Sequence, residues 1–472
     1  MKKLKFFLFF STCLVSTYAA AQSPIQSGQV RNFLSELNLR VRSSYDYQTL
    51  SFSDHRANDS DQKFYQYLSI NTVGKGLKNL NTFFSLRYES DIDGTALSSQ
   101  FRNSTDFFPG RNDLRLYYAY ADYAVNALQS NFALRVGRQS VRDAETVYFD
   151  GAKLGLKFKN KVQVTFFRGK RVSHYTNPPK DDVWGTSVRL DLTRSTYFKF
   201  SHVKYIARST EFLLDHSLAT NLFATARLAM INSDLRDFTL DVDYFLDRTG
   251  TELFLSYYRK IGRSNDDFDF DYTSSDLSSK DLTVRRLLIK DLAPFQDFSF
   301  KIQQTLFGGL MATGELLVRD LVHKDLENEY NYPFQQYRVS LSASNFPWKG
   351  SHFEMRFLRW QADRMPVDPA APFDQPVGEG EPDYDEVGFA ASQRVLPRLT
   401  LGTQLLYRVY AYRGRYVDAE NVNSLFIGGQ GIWEVYANVL LQVRYGREDD
   451  FLFINPNLKS VTRFTTQLKV KF

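Results

Sequence analysis

Histidine is the first residue type to consider for chemistry, because imidazole serves both as a metal ligand and as a general base. The chain has six histidines and no two stand at the spacing of a helical metal motif: His55, His174, His202, His216, His323 and His352. The sequence also lacks a G-x-S-x-G nucleophile elbow, a P-loop and a dinucleotide fingerprint. His202 could belong to a Ser/His/Asp hydrolase group, but a rim or lipid-interface histidine is by far the preferred interpretation. We therefore expect no enzyme, no catalytic residues, no metal site and no cofactor.

Carboxylates cluster in two segments, 263–280 and 362–385. The first contains Asp266, Asp267, Asp269 and Asp271, which could attract calcium but do not form an EF-hand. The second is acidic and rich in proline. Both segments are expected to be solvated extracellular loops. An alternative is that their carboxylates bridge through divalent ions to lipopolysaccharide phosphates, and the sequence leaves their role open.

Cations stand on one side of segments that alternate apolar and polar residues with period two. Phe298, Phe300 and Ile302 alternate with Ser299, Lys301 and Gln303, and Trp433–Tyr445 is the longest alternating run. This period is typical of a β-strand with one face in lipid and the other in water. The polar faces carry the following predicted pore-lining residues: Arg135, Lys153, Lys157, Arg189, Lys199, Arg227, Lys301, Arg338, Arg356, Arg408 and Arg444. Lys469 and Lys471 share that face on the last strand.

The excess of cations over acids on these faces predicts a positive lumen. Rings of arginine and lysine select anions by Coulomb attraction. The alternative is that many of the cations pair with acids across strands and serve only structure. Inward aromatics, including Phe167 and Tyr410, could stack on sugar rings, although aromatic girdles at the membrane interfaces are the commoner use.

Short turns such as Lys159–Lys161 and Pro397–Arg398 alternate with long polar segments such as Asp91–Arg111. This predicts an all-β fold, a single transmembrane antiparallel β-barrel of roughly 18–22 strands with short periplasmic turns and longer extracellular loops. The segment Leu310–Tyr330 could be a strand pair or a loop with a short helix. After the first residues no apolar run is long enough for a transmembrane helix.

The first residues resemble a secretory signal. Lys2, Lys3 and Lys5 precede an apolar run, and Ala19 and Ala21 fit a small-residue cleavage site. We expect residues 1–21 to be a signal peptide and residues 22–472 to be the barrel. The only cysteine, Cys13, lies in this segment, so the mature chain would have no disulfide or thiol nucleophile.

The last strand, with Phe464, Leu468, Val470 and Phe472 on one face, resembles the C-terminal signal that the outer-membrane barrel assembly machinery recognises. A location in the bacterial cell outer membrane follows, with lipid and lipopolysaccharide as neighbours. The charges, 59 Lys+Arg against 53 Asp+Glu, are near balance and form no basic run that favours nucleic acid.

One short pattern resembles a known family. The segment Leu134–Gln139, ending in Gly-Arg-Gln, is followed by Phe149-Asp150-Gly151-Ala152, as in the alginate-export family of outer-membrane barrels. Strands ending in Gly-Arg are also common in general porins. The resemblance implies a monomeric barrel with a positive channel that passes an anionic polysaccharide, and Arg135 and Arg138 are the matching basic residues. Arg138 joins the pore-lining set, at a strand end where it could pair with Asp150.

These observations predict an outer-membrane channel, a porin or export pore, that passes solutes and prefers small or polymeric anions or anionic saccharides. Two other classes stay open. A surface scaffold or adhesin would use the acidic loops and conduct poorly. An outer-membrane hydrolase would need a serine or histidine that the sequence does not single out. Pore size, substrate and oligomeric state are not encoded in these patterns.

Overall fold

A computed structural model describes fifteen stretches of the chain, and all strands named below lie within them. They are residues 37–52, 59–72, 79–92, 112–127, 130–159, 161–172, 182–205, 207–262, 294–307, 309–323, 333–346, 348–362, 383–411, 421–449 and 458–471. The expected signal peptide, the acidic loop 263–280, nearly all of loop 362–385, and Phe472 lie outside these residues. Within them, no helix is long and apolar enough to cross a membrane.

The described residues form one sheet of 22 strands. The strands are β1 (Leu37–Phe52), β2 (Asp59–Thr72), β3 (Leu80–Asp91), β4 (Asn112–Ala127), β5 (Ser130–Arg142), β6 (Thr146–Phe158), β7 (Val162–Arg171), β8 (Asp182–Asp191), β9 (Thr196–Lys204), β10 (Arg208–Ala219), β11 (Leu222–Ile231), β12 (Asp234–Leu246), β13 (Thr251–Lys260), β14 (Phe295–Thr305), β15 (Leu310–Leu321), β16 (Phe334–Ser344), β17 (Ser351–Ala362), β18 (Asp383–Leu396), β19 (Leu399–Ala411), β20 (Asn421–Tyr436), β21 (Val439–Asp449) and β22 (Leu458–Lys471).

Each strand pairs antiparallel with the next in sequence, and β1 pairs with β22, so the sheet closes on itself. In the closing pair, Arg40 lies opposite Lys471 and Leu50 opposite Val461. Closure leaves no sheet edge, so the ladder satisfies the backbone N–H and C=O groups along the wall. The predicted all-β antiparallel barrel is confirmed, with the strand number at the upper end of the expected range.

Alternation along the strands divides the wall into two chemically different faces. Val339, Met355 and Val387 are 60%, 58% and 54% exposed and share one face of β16, β17 and β18. Arg338 and Arg356 lie between them on the other face. Large apolar side chains that stay exposed all round a closed barrel require lipid as their solvent. The protein is a transmembrane barrel of the bacterial outer-membrane type.

The polar face is the inner one. Arg408 of β19 donates to Glu448 of β21 at 3.2 Å, although β20 lies between the two strands. Side chains that skip a strand approach each other only on the concave side of a curved sheet. The charged residues therefore line the lumen and the exposed apolar residues face outward.

The two ends of the barrel differ in their connections. Lys159–Lys161, Thr193–Ser195 and Ala437–Asn438 are short turns at the end that also holds the start of β1 and the finish of β22. The longer connections, including those at 93–111 and 363–382, stand at the opposite end and lie outside the described residues. By the usual asymmetry of such barrels, the short-turn end is periplasmic.

Two segments differ from what their patterns indicated. The run Trp433–Tyr445 is not one strand, since a turn at Ala437–Asn438 divides it between β20 and β21. A register shift between Glu434 and Tyr436 accompanies this turn. The ambiguous segment that begins at Leu310 contains a regular strand, β15, in register with both of its neighbours.

If the two faces are assigned correctly, a new charge on the lipid-facing side should lower the free energy of unfolding more than a new charge on the lumen side. We expect Val339→Arg, on the outer face, to lower the free energy of unfolding by about 2–4 kcal/mol, because a guanidinium would replace an apolar contact with lipid. Urea titration in phospholipid vesicles, followed by tryptophan fluorescence, measures this change.

The matched control is Ser342→Arg, on the lumen face of the same strand and opposite Glu354. This substitution should cost less than about 1 kcal/mol, because the new charge stays in water and faces an acid. Equal losses for the two variants would contradict the assignment of inside and outside.

Candidate functional site

The lumen face brings most of the sequence-predicted cations into contact with acids. Seven of the twelve pair with a carboxylate on that face or at the lumen edge: Arg135, Arg189, Lys199, Arg227, Arg338, Arg356 and Arg408. The alternative left open by the sequence, pairing across strands, therefore holds for five of these residues, whereas Arg189 pairs with Asp191 of its own strand and Lys199 with Asp143 of the β5–β6 connection. Their charges are largely compensated locally.

Arg135 shows how such a pair is built. It binds Asp122 of the neighbouring strand β4 through two hydrogen bonds, from Nε at 2.6 Å and from Nη2 at 2.8 Å. Its guanidinium also lies 4.0 Å from the centre of the Tyr120 ring. A bidentate pair with a stacked ring fixes the side chain against the wall.

A second group of charges lies on β17–β21. The carboxylate of Glu386, only 2% exposed as a residue, accepts from Arg356 at 2.8 Å and from Arg408 at 2.5 Å. Arg408 continues to Glu448, which also accepts from the hydroxyl of Ser424. Two cations and two acids thus form one chain of hydrogen bonds across five strands, which favours a stiff wall.

Four predicted lumen cations have no ion pair among the described residues: Lys153, Lys157, Lys301 and Arg444. Arg444 faces the side-chain amide of Gln442 at 2.8 Å. These four side chains form no salt bridge with a described carboxylate, although Glu315 lies opposite Lys301 in the ladder and Asp122 and Asp143 are close enough to Lys153 to interact with its charge.

Arg138 differs from the other predicted residues. Its predicted pairing with Asp150 is present, with Nε and Nη2 each 2.7 Å from the carboxylate oxygens. Gly137, with a φ of +126°, lies between Arg135 and Arg138, so alternation along a regular strand does not determine on which side of β5 Arg138 lies. Arg138 entered the set through the resemblance, and its place in the lumen stays a prediction.

The end of β5 and the start of β6 form a hairpin that the sequence patterns did not predict. Residues 139–149, here called the inner hairpin, bury one face almost completely, with Gln139, Val147 and Phe149 at 0% exposure. Their face is that of Arg135 and Lys153, the lumen face. Wall residues on this face normally meet water, so complete burial means that another part of the chain covers them.

The partner of the inner hairpin is the inner wall of β7–β9. Val141, Ala144, Val147 and Phe149 form one apolar cluster with three wall residues: Phe167, Val183 and Val203. The rings of Phe149 and Phe167 are 5.1 Å apart. Phe167, predicted as a pore-lining aromatic, is thus covered by the hairpin and does not contact the lumen solvent.

Two ion pairs fix the tip of the inner hairpin. Asp143 accepts from Lys199 of β9 at 2.8 Å, and Glu145 pairs with Arg236 of β12. Strand β12 is six strands beyond β6, about 29 Å around the wall at the usual strand spacing of ~4.8 Å. Two side chains cannot span that arc, so the hairpin leaves the wall and crosses the lumen side of β7–β12.

The anchor on β12 belongs to a larger charge network. Arg236, 6% exposed, also pairs with Asp237 at 2.6 Å. Arg227 then lies between Asp237 at 2.5 Å and Glu211 at 3.2 Å. Because the members are mostly buried and mutually satisfied, removal of one partner leaves a costly unpaired charge.

Glycine makes the departure of the hairpin from the wall possible. Gly137 has a φ of +126°, and a Cβ there would lie 2.1 Å from the carbonyl oxygen of Ala119. Its neighbour in register is Gly151, where a Cβ would meet the carbonyl oxygen of Arg168, also at 2.1 Å. At Gly137 and Gly151 the neighbouring backbones of β4–β7 are therefore too close to leave room for a Cβ atom.

An aromatic stack covers the inner wall on the other half of the barrel. Arg319, held by Asp297, lies 4.0 Å from the centre of the Phe295 ring and 5.0 Å from that of Phe334. Phe334 stacks on Trp360 at 4.2 Å. Tyr384 and Tyr410 continue the row, with ring centres 5.6 Å apart. Only Tyr410 of this row was expected in the lumen.

The histidines do not assemble a catalytic or metal centre within the described stretches. His202 shares a hydrogen bond of 2.9 Å with Thr210 and packs against Trp184, on the face opposite Lys199. No group of three His, Cys, Asp or Glu residues that could hold a metal ion occurs in the described part of the chain.

Known proteins resemble the chain only in shape. No protein-family model and no curated protein matches it. Similar solved structures include a BenF-like porin from Pseudomonas fluorescens Pf-5, 10% identical, covering 93% of this chain and 98% of that one with a TM-score of 0.48. OccAB2 of Acinetobacter baumannii is 10% identical, covering 93% and 99%, with a TM-score of 0.42. OprD of Pseudomonas aeruginosa is 7% identical, covering 93% and 96%, with a TM-score of 0.38.

These similarities concern overall architecture, and the fold assignment rests on the strand pairing described above. The resemblance to alginate-export barrels is not confirmed by the solved structures named above.

The glycine geometry gives a direct test. We expect Gly137→Ala to lower the free energy of unfolding by about 1–3 kcal/mol, because the new methyl group strains the backbone and meets the neighbouring strand. Gly155→Ala, on β6, is the control, since a Cβ there would be 3.8 Å from its nearest neighbour. Denaturant titration of both variants measures the free energy of unfolding. An unchanged value for Gly137→Ala would disprove the close backbone approach at Gly137.

Proposed function

We propose that this chain is an outer-membrane channel that passes solutes and prefers anions, including anionic saccharides. The observation that carries the proposal is a closed barrel whose lumen face presents Lys153, Lys157, Lys301 and Arg444 without carboxylate partners. A water-filled lumen with fixed positive charge raises the local concentration of anions.

Several lumen acids are prevented from opposing this field. Glu386 and Asp237 each contact two arginines, and Asp122 is bound on both oxygens by Arg135. Asp215 and Asp241 accept only from the hydroxyls of Thr225 and Ser256, at 3.1 and 2.5 Å, and keep their negative charge. Acids paired with arginine contribute little net potential to a passing solute, so the balance between the unpaired cations and the remaining lumen acids determines the selectivity.

The inner hairpin supports a role in sizing the lumen. It occupies the lumen side of β7–β12 and is fixed there by an apolar cluster and two ion pairs. A rigid segment inside a barrel of 22 strands reduces the open cross-section, which suits selective passage better than free diffusion. Its position toward the long-loop end places this narrowing on the extracellular side.

The surroundings follow from the same proposal. Lipid contacts the exposed apolar face, and lipopolysaccharide surrounds the long-loop end. The C-terminal strand β22, which completes the barrel against β1 and precedes Phe472, is where the barrel assembly machinery would act. We propose no nucleic-acid partner and no cofactor.

Single-channel recording of the refolded chain in a planar bilayer tests the proposal. In a salt gradient we expect open current with a reversal potential on the anion-selective side. The combined variant Lys153→Gln, Lys157→Gln, Lys301→Gln and Arg444→Gln should lower the anion-to-cation permeability ratio by about twofold or more, because it removes the uncompensated lumen charge.

A control variant with the same loss of charge replaces exposed cations of the short turns by glutamine: Lys159, Lys161, Arg194 and Lys349. Its permeability ratio should change less. A folded barrel without current, or one that prefers cations, would contradict the proposed function.

The hairpin gives a separate prediction. We expect the double variant Asp143→Asn and Glu145→Gln to increase single-channel conductance and current noise, because the tip loses both of its ion pairs. The double variant Asp215→Asn and Asp241→Asn removes the same charge from the lumen wall and should leave the noise unchanged. Identical conductance in all three proteins would show that the hairpin does not limit the current.

A further inference from the structure

Four cations meet where the barrel closes. Along the ladder between β1 and β22, Arg40 lies opposite Lys471, and Arg42 lies opposite Lys469. The four alternate with Val41 and Val470, whose side chains point the other way, so they share the lumen face. They stand beside the Ala437–Asn438 turn, at the periplasmic end.

Placing like charges directly opposite each other in a ladder is destabilising. At several other places on the lumen face this protein pairs an arginine with an acid, as in Arg135 with Asp122. The four seam cations have no ion pair among the described residues. Arg40 donates to the side-chain oxygen of Asn38 at 3.3 Å, and Arg42 lies 4.1 Å from the centre of the Tyr67 ring.

Neither contact neutralises a charge. An aromatic face interacts with the plane of a guanidinium and leaves its N–H edges able to donate. Lys469 and Lys471 are exposed, and each presents three donors. Apart from the Arg40 Nε–H that Asn38 accepts, the seam therefore holds a dense set of positive donors for which the described residues show no carboxylate partner.

A cavity lies against these residues. It has a volume of about 580 Å³ and is lined by all four cations, with Glu434 as the one acid in its lining among the described residues. Tyr67, Tyr436 and Asn438 supply further polar and aromatic wall. A concave space of this size beside four donors accommodates a small polar molecule rather than a single ion.

We propose that the seam cavity binds a solute that carries two or more carboxylate or phosphate groups. Facing residues in an antiparallel ladder are about 5 Å apart, and residues two apart in a strand are about 7 Å apart. The four charges thus form a compact rectangle. One monovalent anion would leave most of the rectangle uncompensated, whereas neighbouring anionic groups on one molecule offset all four charges.

This site deepens the proposed function, because it names the substrate class of an anion-preferring channel and places its binding at the periplasmic mouth. A site at this mouth would raise the local concentration of such a solute at the periplasmic end of the lumen.

Isothermal titration calorimetry with sodium tripolyphosphate, on the full chain refolded in detergent, tests the site without requiring any current. We expect one binding site per barrel in the wild type. The seam variant Arg40→Gln, Arg42→Gln, Lys469→Gln and Lys471→Gln should weaken binding by about tenfold or more, because it removes every cation of the rectangle. The control is the variant Lys153→Gln, Lys157→Gln, Lys301→Gln and Arg444→Gln, which loses the same charge but should bind within about threefold of wild type.

A further variant guards against trivial loss through misfolding. Glu434→Gln removes the acid of the cavity lining, so it should tighten tripolyphosphate binding. Equal weakening by the seam and control variants would reduce the effect to net charge and overturn the site. An absence of binding to the wild type would also overturn it.

Bilayer recordings separate this site from the channel itself. Tripolyphosphate added to one side only should reduce the current of the wild type, and the seam variant should resist that block. A conducting, anion-preferring barrel without block from either side would keep the channel and reject the site. A silent barrel that still binds tripolyphosphate would keep the site and reject the channel.

Discussion

Hydrogen bonding of the backbone in a medium without water is the constraint on which this structure depends. A strand in lipid has no alternative partner for its N–H and C=O groups, so each strand must be paired on both sides. The pairing of β1 with β22 is what meets this requirement for the whole sheet. Once the wall is closed, alternation of side chains sorts every residue into lipid or lumen, and the position of each charge follows.

Because alternation directs the charged side chains inward, the lumen face carries many charges in a small volume. These charges fall into two groups. In most of the wall, arginines pair with acids from neighbouring strands, and Glu386 with Arg356 and Arg408 is the most buried example. Such pairs add little net stability but are costly to break. At the closing seam, at three lysines and at Arg444, the described residues show no such ion pair.

Alternation in the sequence predicted the barrel and assigned eleven cations to its polar face, whereas the pairing of Arg138 with Asp150, which is present, was expected from a short motif. Alternation failed at Ala437–Asn438, where the chain turns without a glycine or proline. Apolar and polar residues alternate with period two on both sides of this turn, so β20 and β21 resembled one strand. It could not predict the inner hairpin either. Val141 and Phe149 have the same apolar character as lipid-facing residues, and only a contact such as Glu145 with Arg236, 91 positions apart, shows what covers them.

The inner hairpin also bears on the order in which the barrel can form. Its contacts with Tyr118, with the Phe167 cluster and with Arg236 lie within the contiguous strands β4–β12. None of them requires β1 to have met β22. This sector can therefore form as a curved, partly covered sheet while the rest of the wall is still open. A segment that occupies the lumen of the finished barrel thus does not need the finished barrel in order to find its place.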